Sequence, residues 1–126
     1  MTNVQQNTRL VLDYLDTVWN QGRTEEAGRF VAAELAQHNH GLADGRSALV
    51  ELIGGLRSQF PELRFEVART AAEGDLVFVH SLAVLTPGQP GTAVVDVFRI
   101  ADGLIAEHWD VAAEVPETTA SGRPVV

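Results

Sequence analysis

The hydrophobic period of this chain changes once, near Leu63, from about 3.6 residues to about 2, and that change sets the layers it can fold into. Upstream, Val11, Tyr14, Leu15, Val18 and Trp19 recur at helical spacing and Gly22 stands where a helix stop belongs, which predicts a helix over roughly residues 4–21. Thr24, followed by Glu25, Glu26 and Ala27, reads as the N-cap and acidic first turn of a short second helix reaching Phe30 and Val31. Asp44 is placed to cap a third helix, on which Ala48, Leu49, Leu52, Ile53, Leu56 and Phe60 form one apolar stripe and which Pro61 ends. Downstream, Leu63, Phe65 and Val67 alternate with Arg64, Glu66 and Ala68. Glu73-Gly74-Asp75 reads as a turn, 76–85 as a strand apolar on both faces, and Pro87-Gly88-Gln89-Pro90-Gly91 as a loop. Residues 92–100 and 104–114 read as two more strands joined at Asp102-Gly103. Helices first and a meander afterwards predict an α+β fold, three N-terminal helices packed on one face of a curved antiparallel sheet.

The 126 residues, 45% hydrophobic and 21% charged, suit one globular domain, so 1–126 is read as a single domain without linker or repeat. Residues 116–126, with Thr118, Thr119, Ser121, Gly122 and Pro124, have no period and are expected to form an extended tail over the surface or a partner subunit. No apolar run approaches the roughly 18–20 residues that span a bilayer, and the N-terminus lacks the basic start and apolar core of a signal peptide. A soluble, cytoplasmic protein with no membrane partner is therefore expected. The absence of cysteine excludes disulfides, thiolate nucleophiles and cysteine zinc sites. All nine basic residues are Arg, which excludes a lysine Schiff base, and against seventeen acids they leave a net charge of −8 that repels nucleic acid. Catalysis must rest on His, Asp, Glu, Tyr or Arg.

The candidates are polar residues set inside apolar strand rows. On strand 92–100, Asp96 shares a face with Val94, Phe98 and Ile100, where a carboxylate is costly unless paired. On strand 76–85 the row Leu76, Phe78, His80, Leu82 holds one titratable group, His80. On the last strand His108 and Asp110 share a face, with Glu107 and Trp109 on the other. A two-residue Asp102-Gly103 turn would set Asp96 against Trp109 and beside Glu107. A three-residue Ala101-Asp102-Gly103 loop sets Asp96 against His108 and sends Arg99 and Glu107 together to the other face, and this register is the expected one. It predicts a concave face on which Asp96, His108, Asp110 and His80 converge among Val94, Phe98, Leu76, Phe78 and Leu82, the usual form of a small-molecule pocket. The same residues fit a structural reading, with Asp96 and His108 a buried pair and Asp110 a cap on the sheet edge. Tyr14 and Trp19 lie on the apolar stripe of the first helix, from which Tyr14 can also turn its hydroxyl into the pocket. His38 and His40 point the same way from an extended segment, as pocket lining or surface. With a third ligand from His80 or His108 they would begin a metal site, but no metal is expected. Gly54-Gly55 reads as a close-packing site.

The run Asp96-Val97-Phe98-Arg99-Ile100-Ala101-Asp102-Gly103-Leu104-Ile105-Ala106-Glu107-His108-Trp109-Asp110-Val111, with Gln37-His38-Asn39, with Asp44-Gly45 before a helix and with Val115-Pro116 in the tail, resembles the SnoaL-like polyketide cyclase family of the nuclear-transport-factor-2-like superfamily. The resemblance covers nearly the whole chain. It implies a cone-shaped α+β barrel, a homodimer packed through the convex face of the sheet, and an apolar cavity between sheet and helices. It also implies that Asp110 is the general acid/base, assisted by His108 or His80, and that His38 is the histidine of the family's Gln-His-Asn motif. Two positions depart from the pattern: His40 stands where proline commonly follows His-Asn, and the tail ends in Val125-Val126 without an aromatic residue or methionine.

These readings predict a cofactor-independent acid/base enzyme acting on a small, mostly apolar carbonyl compound by aldol-type cyclisation or isomerisation. Asp110, His108 and Asp96 are its catalytic candidates, with Asp96 orienting His108, and His38, His80, Tyr14, Trp19, Phe78 and Phe98 are its substrate-binding candidates. The alternatives are an epoxide hydrolase-like or dehydratase-like enzyme and a non-catalytic, small-ligand-binding dimeric module. The epoxide reading wants an Arg between two acids, whereas Arg99 is expected on the outer face.

Overall fold

The computed structural model describes residues 2–126. Helix α1 (Asn3–Tyr14) starts on a capping box: the Gln5 backbone N–H donates to Thr2 Oγ1 and the Thr2 N–H to Gln5 Oε1. It continues as a π-helical turn, Leu15–Asn20, whose wider winding stacks residues five apart and lets Trp19 Nε1 donate to the Tyr14 hydroxyl at 3.0 Å. A 3-10 helix, Thr24–Arg29, and helix α2, Arg46–Gln59, complete the helical layer. No described helix is long and apolar enough to cross a membrane.

The sheet contains β1 (Val31–Gln37), β2 (Arg64–Glu73), β3 (Leu76–Val84), β4 (Thr92–Ala101) and β5 (Leu104–Glu114), in the order β1-β5-β4-β3-β2. The last four strands are the expected antiparallel meander. β1 is an addition that pairs parallel with β5, so the sheet is mixed, and its two edges do not join into a closed barrel. The β1 sequence, Val-Ala-Ala-Glu-Leu-Ala-Gln, is rich in good helix formers and fully buries only Val31 and Leu35; its extended form is imposed by β5 rather than by propensity. Asp44 does not cap α2, because its Oδ1 accepts the Gln37 backbone N–H at 2.8 Å and so ties down the end of β1. Gly45, at φ 99°, takes the cap position instead.

The core fills the space between the helices and the concave face of the sheet, from Val11, Tyr14, Leu15 and Val18 through Leu49 and Ile53 to Val77, Val79 and Phe98. β3 is apolar on both faces, and its register with β4 decides which one is inside. Val77, Val79 and Ser81 lie opposite Phe98, Asp96 and Val94 and are fully buried. Leu76, Phe78, His80 and Leu82 therefore occupy the convex face, which corrects the expected placement of His80 and Phe78 in the pocket. There His80 Nδ1 bonds the Arg69 guanidinium.

The β4–β5 connection corrects a second expectation. It is a two-residue turn with Asp102 and Gly103 both at positive φ, 53° and 75°, as a type I′ turn requires. Continued without interruption, that turn would set Asp96 against Trp109. A bulge leaves Ala106 unpaired between the Arg99–Glu107 and Ile100–Ile105 pairs, and the extra residue returns the even-numbered residues of both strands to one face. Asp96 lies directly opposite Asp110, with His108 on the diagonal. Arg99 Nε donates to Glu107 Oε1 at 2.8 Å on the convex face, and the Arg99 and His38 contacts hold the Glu107 carboxyl below its usual range.

The convex face also carries Phe78, Val95 and Val111, which are 40%, 38% and 74% exposed. The register sets Val95 beside Val111, and Phe78 beside Val97 and then Trp109, so the apolar side chains are contiguous. This patch predicts self-association of two copies through the sheet. Sedimentation at micromolar concentration should give a dimer, and Val95→Lys combined with Val111→Lys a folded monomer; a parent protein sedimenting as a monomer refutes the assignment.

Candidate active site

Between the concave face and the helices lies a cavity of about 130 Å³. β4 contributes Val94, Asp96 and Phe98, and β5 contributes His108, Asp110 and Ala112. The first helix and its π turn supply Tyr14, Leu15 and Trp19; Asn39 and Leu42 come from the connection after β1, Leu49 and Leu52 from α2, and Phe65 from β2. A larger hollow, of about 630 Å³, lies under the tail between Leu82, Pro90 and residues 115–126, but its only charged side chains are Glu117 and Arg123. The smaller cavity is where the titratable groups converge.

Asp96 is the most buried of the acids and histidines here, its side chain only 7% exposed. Its Oδ1 lies 2.7 Å from His108 Nε2 and its Oδ2 has no partner among the described residues. Burial raises its pKa above the ordinary 3.8; the hydrogen bond from His108 opposes that rise, and the Asp110 charge across the strand pair adds to it. The His108 tautomer follows from its other neighbour. Gln37 Oε1 accepts the Asn39 backbone N–H at 3.1 Å, which identifies that atom as the amide oxygen, so His108 Nδ1, 2.8 Å away, must be the protonated nitrogen. At 2.7 Å, Nε2 and Asp96 Oδ1 then share one proton, held either as acid and imidazole or as carboxylate and imidazolium.

Asp110 has a separate anchor. Asn39 Nδ2 donates to both of its oxygens, at 3.0 and 2.9 Å, and the Asn39 amide is itself oriented by the Gly41 N–H on its Oδ1 at 2.8 Å. Asp110 Oδ2 lies 4.0 Å from His108 Nε2. Tyr14 is buried against Phe98, and that burial pushes its phenol well above the usual 10.0, so it stays a neutral donor. Its oxygen accepts from Trp19, and its proton has no acceptor among the described residues.

Of the residues singled out in the sequence, Asp96, His108, Asp110, Tyr14, Trp19 and Phe98 meet in this cavity, while His38, His80 and Phe78 do not. His38 lies outside, stacked on Trp109 at 4.8 Å and bonded to Glu107 Oε2 at 2.7 Å. Side chains alternate along the extended segment, so with His38 outside, Gln37 and Asn39 face in. These are the site residues that sequence reasoning missed. Their signal was the alternation itself, but which parity faced inward was fixed only when Gln37 paired with His108 in the sheet. Asp96, His108 and Asp110 also form the one cluster among the described residues whose ligand atoms, all within 4.8 Å, suit a divalent cation. His38 and His40 join no such cluster.

The family model of the SnoaL-like domain matches residues 11–108, most of the chain and nearly all of the elements that build the cavity. The chain belongs to the SnoaL-like domain family. Solved structures similar to this SnoaL-like chain include a candidate ketosteroid isomerase from Kribbella flavida, 22% identical over 94% of this chain and 86% of that one, with a TM-score of 0.74. IdmH, a candidate polyketide cyclase from Streptomyces antibioticus, is 20% identical over 85% of this chain and 91% of its own, at a TM-score of 0.69. A SnoaL-like protein of unknown function from Burkholderia thailandensis is 16% identical over 90% and 98%, at 0.74. At these identities the likeness is one of fold. No curated protein matches the chain in sequence.

The buried acid of this SnoaL-like site makes stability depend on pH in a definite direction. Because the folded state raises the Asp96 pKa, its contribution is full below the ordinary 3.8 and is lost as pH rises through the raised value. Asp96→Asn removes that loss and leaves an amide able to bond His108 Nε2. Relative to the parent, the melting temperature of the variant should therefore climb from about pH 4 to about pH 8. A difference that stays constant or falls over that range contradicts the assignment.

Proposed function

We propose that the protein is an acid–base enzyme that moves a proton beside a carbonyl group, in an isomerisation or an aldol-type cyclisation. The observation that carries this reading is the anchoring of Asp110: a carboxylate aligned by the Asn39 amide, in a mostly apolar cavity, with the Tyr14 hydroxyl proton uncommitted.

Asp110 takes a proton from the carbon next to the substrate carbonyl, and the C–H electron pair moves into the C–C bond and on to the oxygen. Tyr14 donates to that oxygen as its charge grows, a contribution typically worth about 10²–10³ in rate in a water-excluded site. In an isomerisation Asp110 returns the proton to a different carbon. In a cyclisation the enolate carbon attacks a second carbonyl of the same molecule and the proton goes to the new alkoxide. Neither route needs a cofactor. His108 has both ring nitrogens engaged, by Gln37 and Asp96, so its part is to hold the shared proton and the polar wall in place. The convergence of Asp110 and His108 within 4.0 Å beside an open cavity also favours an enzyme over a binding module.

One observation favours a second reading. The unpartnered Asp96 Oδ2 offers an acid on the opposite strand from the base, an arrangement that suits opening of a small epoxide by a water that Asp110 activates. Arg99, paired with Glu107 on the convex face, takes no part in it.

Deuterium uptake next to the carbonyl of neutral ketones, followed by NMR in heavy water, tests the first reading whatever the natural substrate is. Asp110→Asn should leave the fold intact and slow exchange by about 10²–10⁴-fold, and Tyr14→Phe by about 10²–10³-fold. Unchanged exchange in the Asp110 variant removes it as the base. Diol formation from epoxides without ketone exchange selects the second reading.

A further inference from the structure

Three features of the cavity constrain what enters it: its volume, the rigidity of one wall and the charge of its lining. The volume, about 130 Å³, is well below the roughly 300–1,000 Å³ of pockets that take drug-sized molecules. An apolar cavity of roughly 150 Å³ takes a single benzene ring. A fused-ring ligand would have to push the walls apart.

The wall formed by Trp19 and Phe65 is built to resist that. The two rings meet edge to face at 5.0 Å. The neighbouring Asn20 side chain clamps the Phe65 backbone from both sides, its Oδ1 accepting the Phe65 N–H at 2.7 Å and its Nδ2 donating to the Phe65 carbonyl at 3.1 Å. Behind them Arg57 donates to the carbonyls of Trp19, Leu63 and Pro61, joining the end of the π turn to the start of β2. An added Cβ at Gly22 would stand 2.5 Å from Arg57 Nε, so the chain beside this rivet is closely fitted too. The cavity is closed at this end by two packed rings carried on fastened backbone.

Among the described residues the lining holds Asp96 and Asp110 and no Arg, and the sequence has no Lys. A ligand bearing a carboxylate, a phosphate or a phosphate-rich carrier would have to place an anion beside Asp110 with no Arg or Lys to receive it, while both nitrogens of His108 are already engaged by Asp96 and Gln37. Apart from the group around Asn39, His108 and Tyr14, the walls are apolar, so the ligand has one polar end.

From these features we infer that the site takes a free, uncharged, single-ring or comparably short ketone of roughly six to eight non-hydrogen atoms, and not a fused-ring or carrier-bound substrate. The carbonyl rests on the acid–base reading above; the size and charge rest on the cavity alone.

Calorimetric binding and deuterium exchange with four probes separate the two: cyclohexenone, a fused bicyclic octalone, a steroid enone and cyclopentene carboxylate. Cyclohexenone should bind, and the other three should bind roughly 100-fold more weakly or not at all. Leu52→Ala, in a half-buried side chain of α2, and Phe65→Ala, at the fastened wall, should each shrink the gap between octalone and cyclohexenone to below about tenfold. Leu52→Ala, away from the fastened wall, keeps the test open should the Phe65 variant fail to fold. Octalone or steroid binding by the parent as tight as that of cyclohexenone overturns the inference, as does equal binding of the carboxylate or no binding of cyclohexenone. Binding of cyclohexenone without exchange upholds the size class and fails the catalytic reading. Rapid exchange of the steroid enone does the reverse.

Discussion

The bulge at Ala106 decides which side chains meet at the site. Side chains on paired strands alternate with a period of two, so a type I′ turn at Asp102-Gly103 by itself would have turned Glu107 and Trp109 toward the helices and His108 and Asp110 away. One unpaired residue reverses that. The irregularity is shared by both neighbours of β5: on its other side the β1 register also shifts between Val31 and Ala36, and the Ile105 N–H is satisfied by the Phe30 carbonyl at 2.7 Å. The bend thus stays hydrogen-bonded where the ladder is interrupted.

The register brings two carboxylates face to face across β4 and β5, and the Asp110 charge adds to the rise that burial gives the Asp96 pKa. Their surroundings differ. Asp96 is buried with one oxygen unpartnered and shares a proton with His108, whereas Asp110 has the Asn39 amide on both oxygens. The difference depends on β1, because Gln37, its last residue, sets the His108 tautomer, and Asn39, two residues beyond it, holds Asp110. Asp44, by taking the Gln37 N–H, fixes where the strand stops, so a residue with the look of a helix cap serves the site from a distance.

The helical layer does more than cover the sheet. Five-residue winding through Leu15–Asn20 places Trp19 on the Tyr14 hydroxyl and Asn20 against the Phe65 backbone, so one departure from α-helical geometry both orients a donor and closes a wall. The Trp19–Phe65 end is riveted through Arg57, while Leu42 lies on the connection between β1 and α2.

The sequence by itself determined the α+β class, the two long helices and the four-strand meander. Each follows from a period or a turn residue read over a short window, and a carboxylate in an apolar row announces its need for a partner. Tertiary structure decided the rest. Val31–Gln37 became a strand only because β5 was there to pair with it, since its own residues favour helix. β3, apolar on both faces, carried no mark of which face was inner, so the placement of His80 and Phe78 waited on the register with β4. The choice of Gln37 and Asn39 over His38 was likewise a matter of parity, fixed by a parallel pairing about seventy positions away along the chain. Local patterns say that a residue must be paired or buried; the partner, and the side from which it comes, are set by contacts distant in sequence.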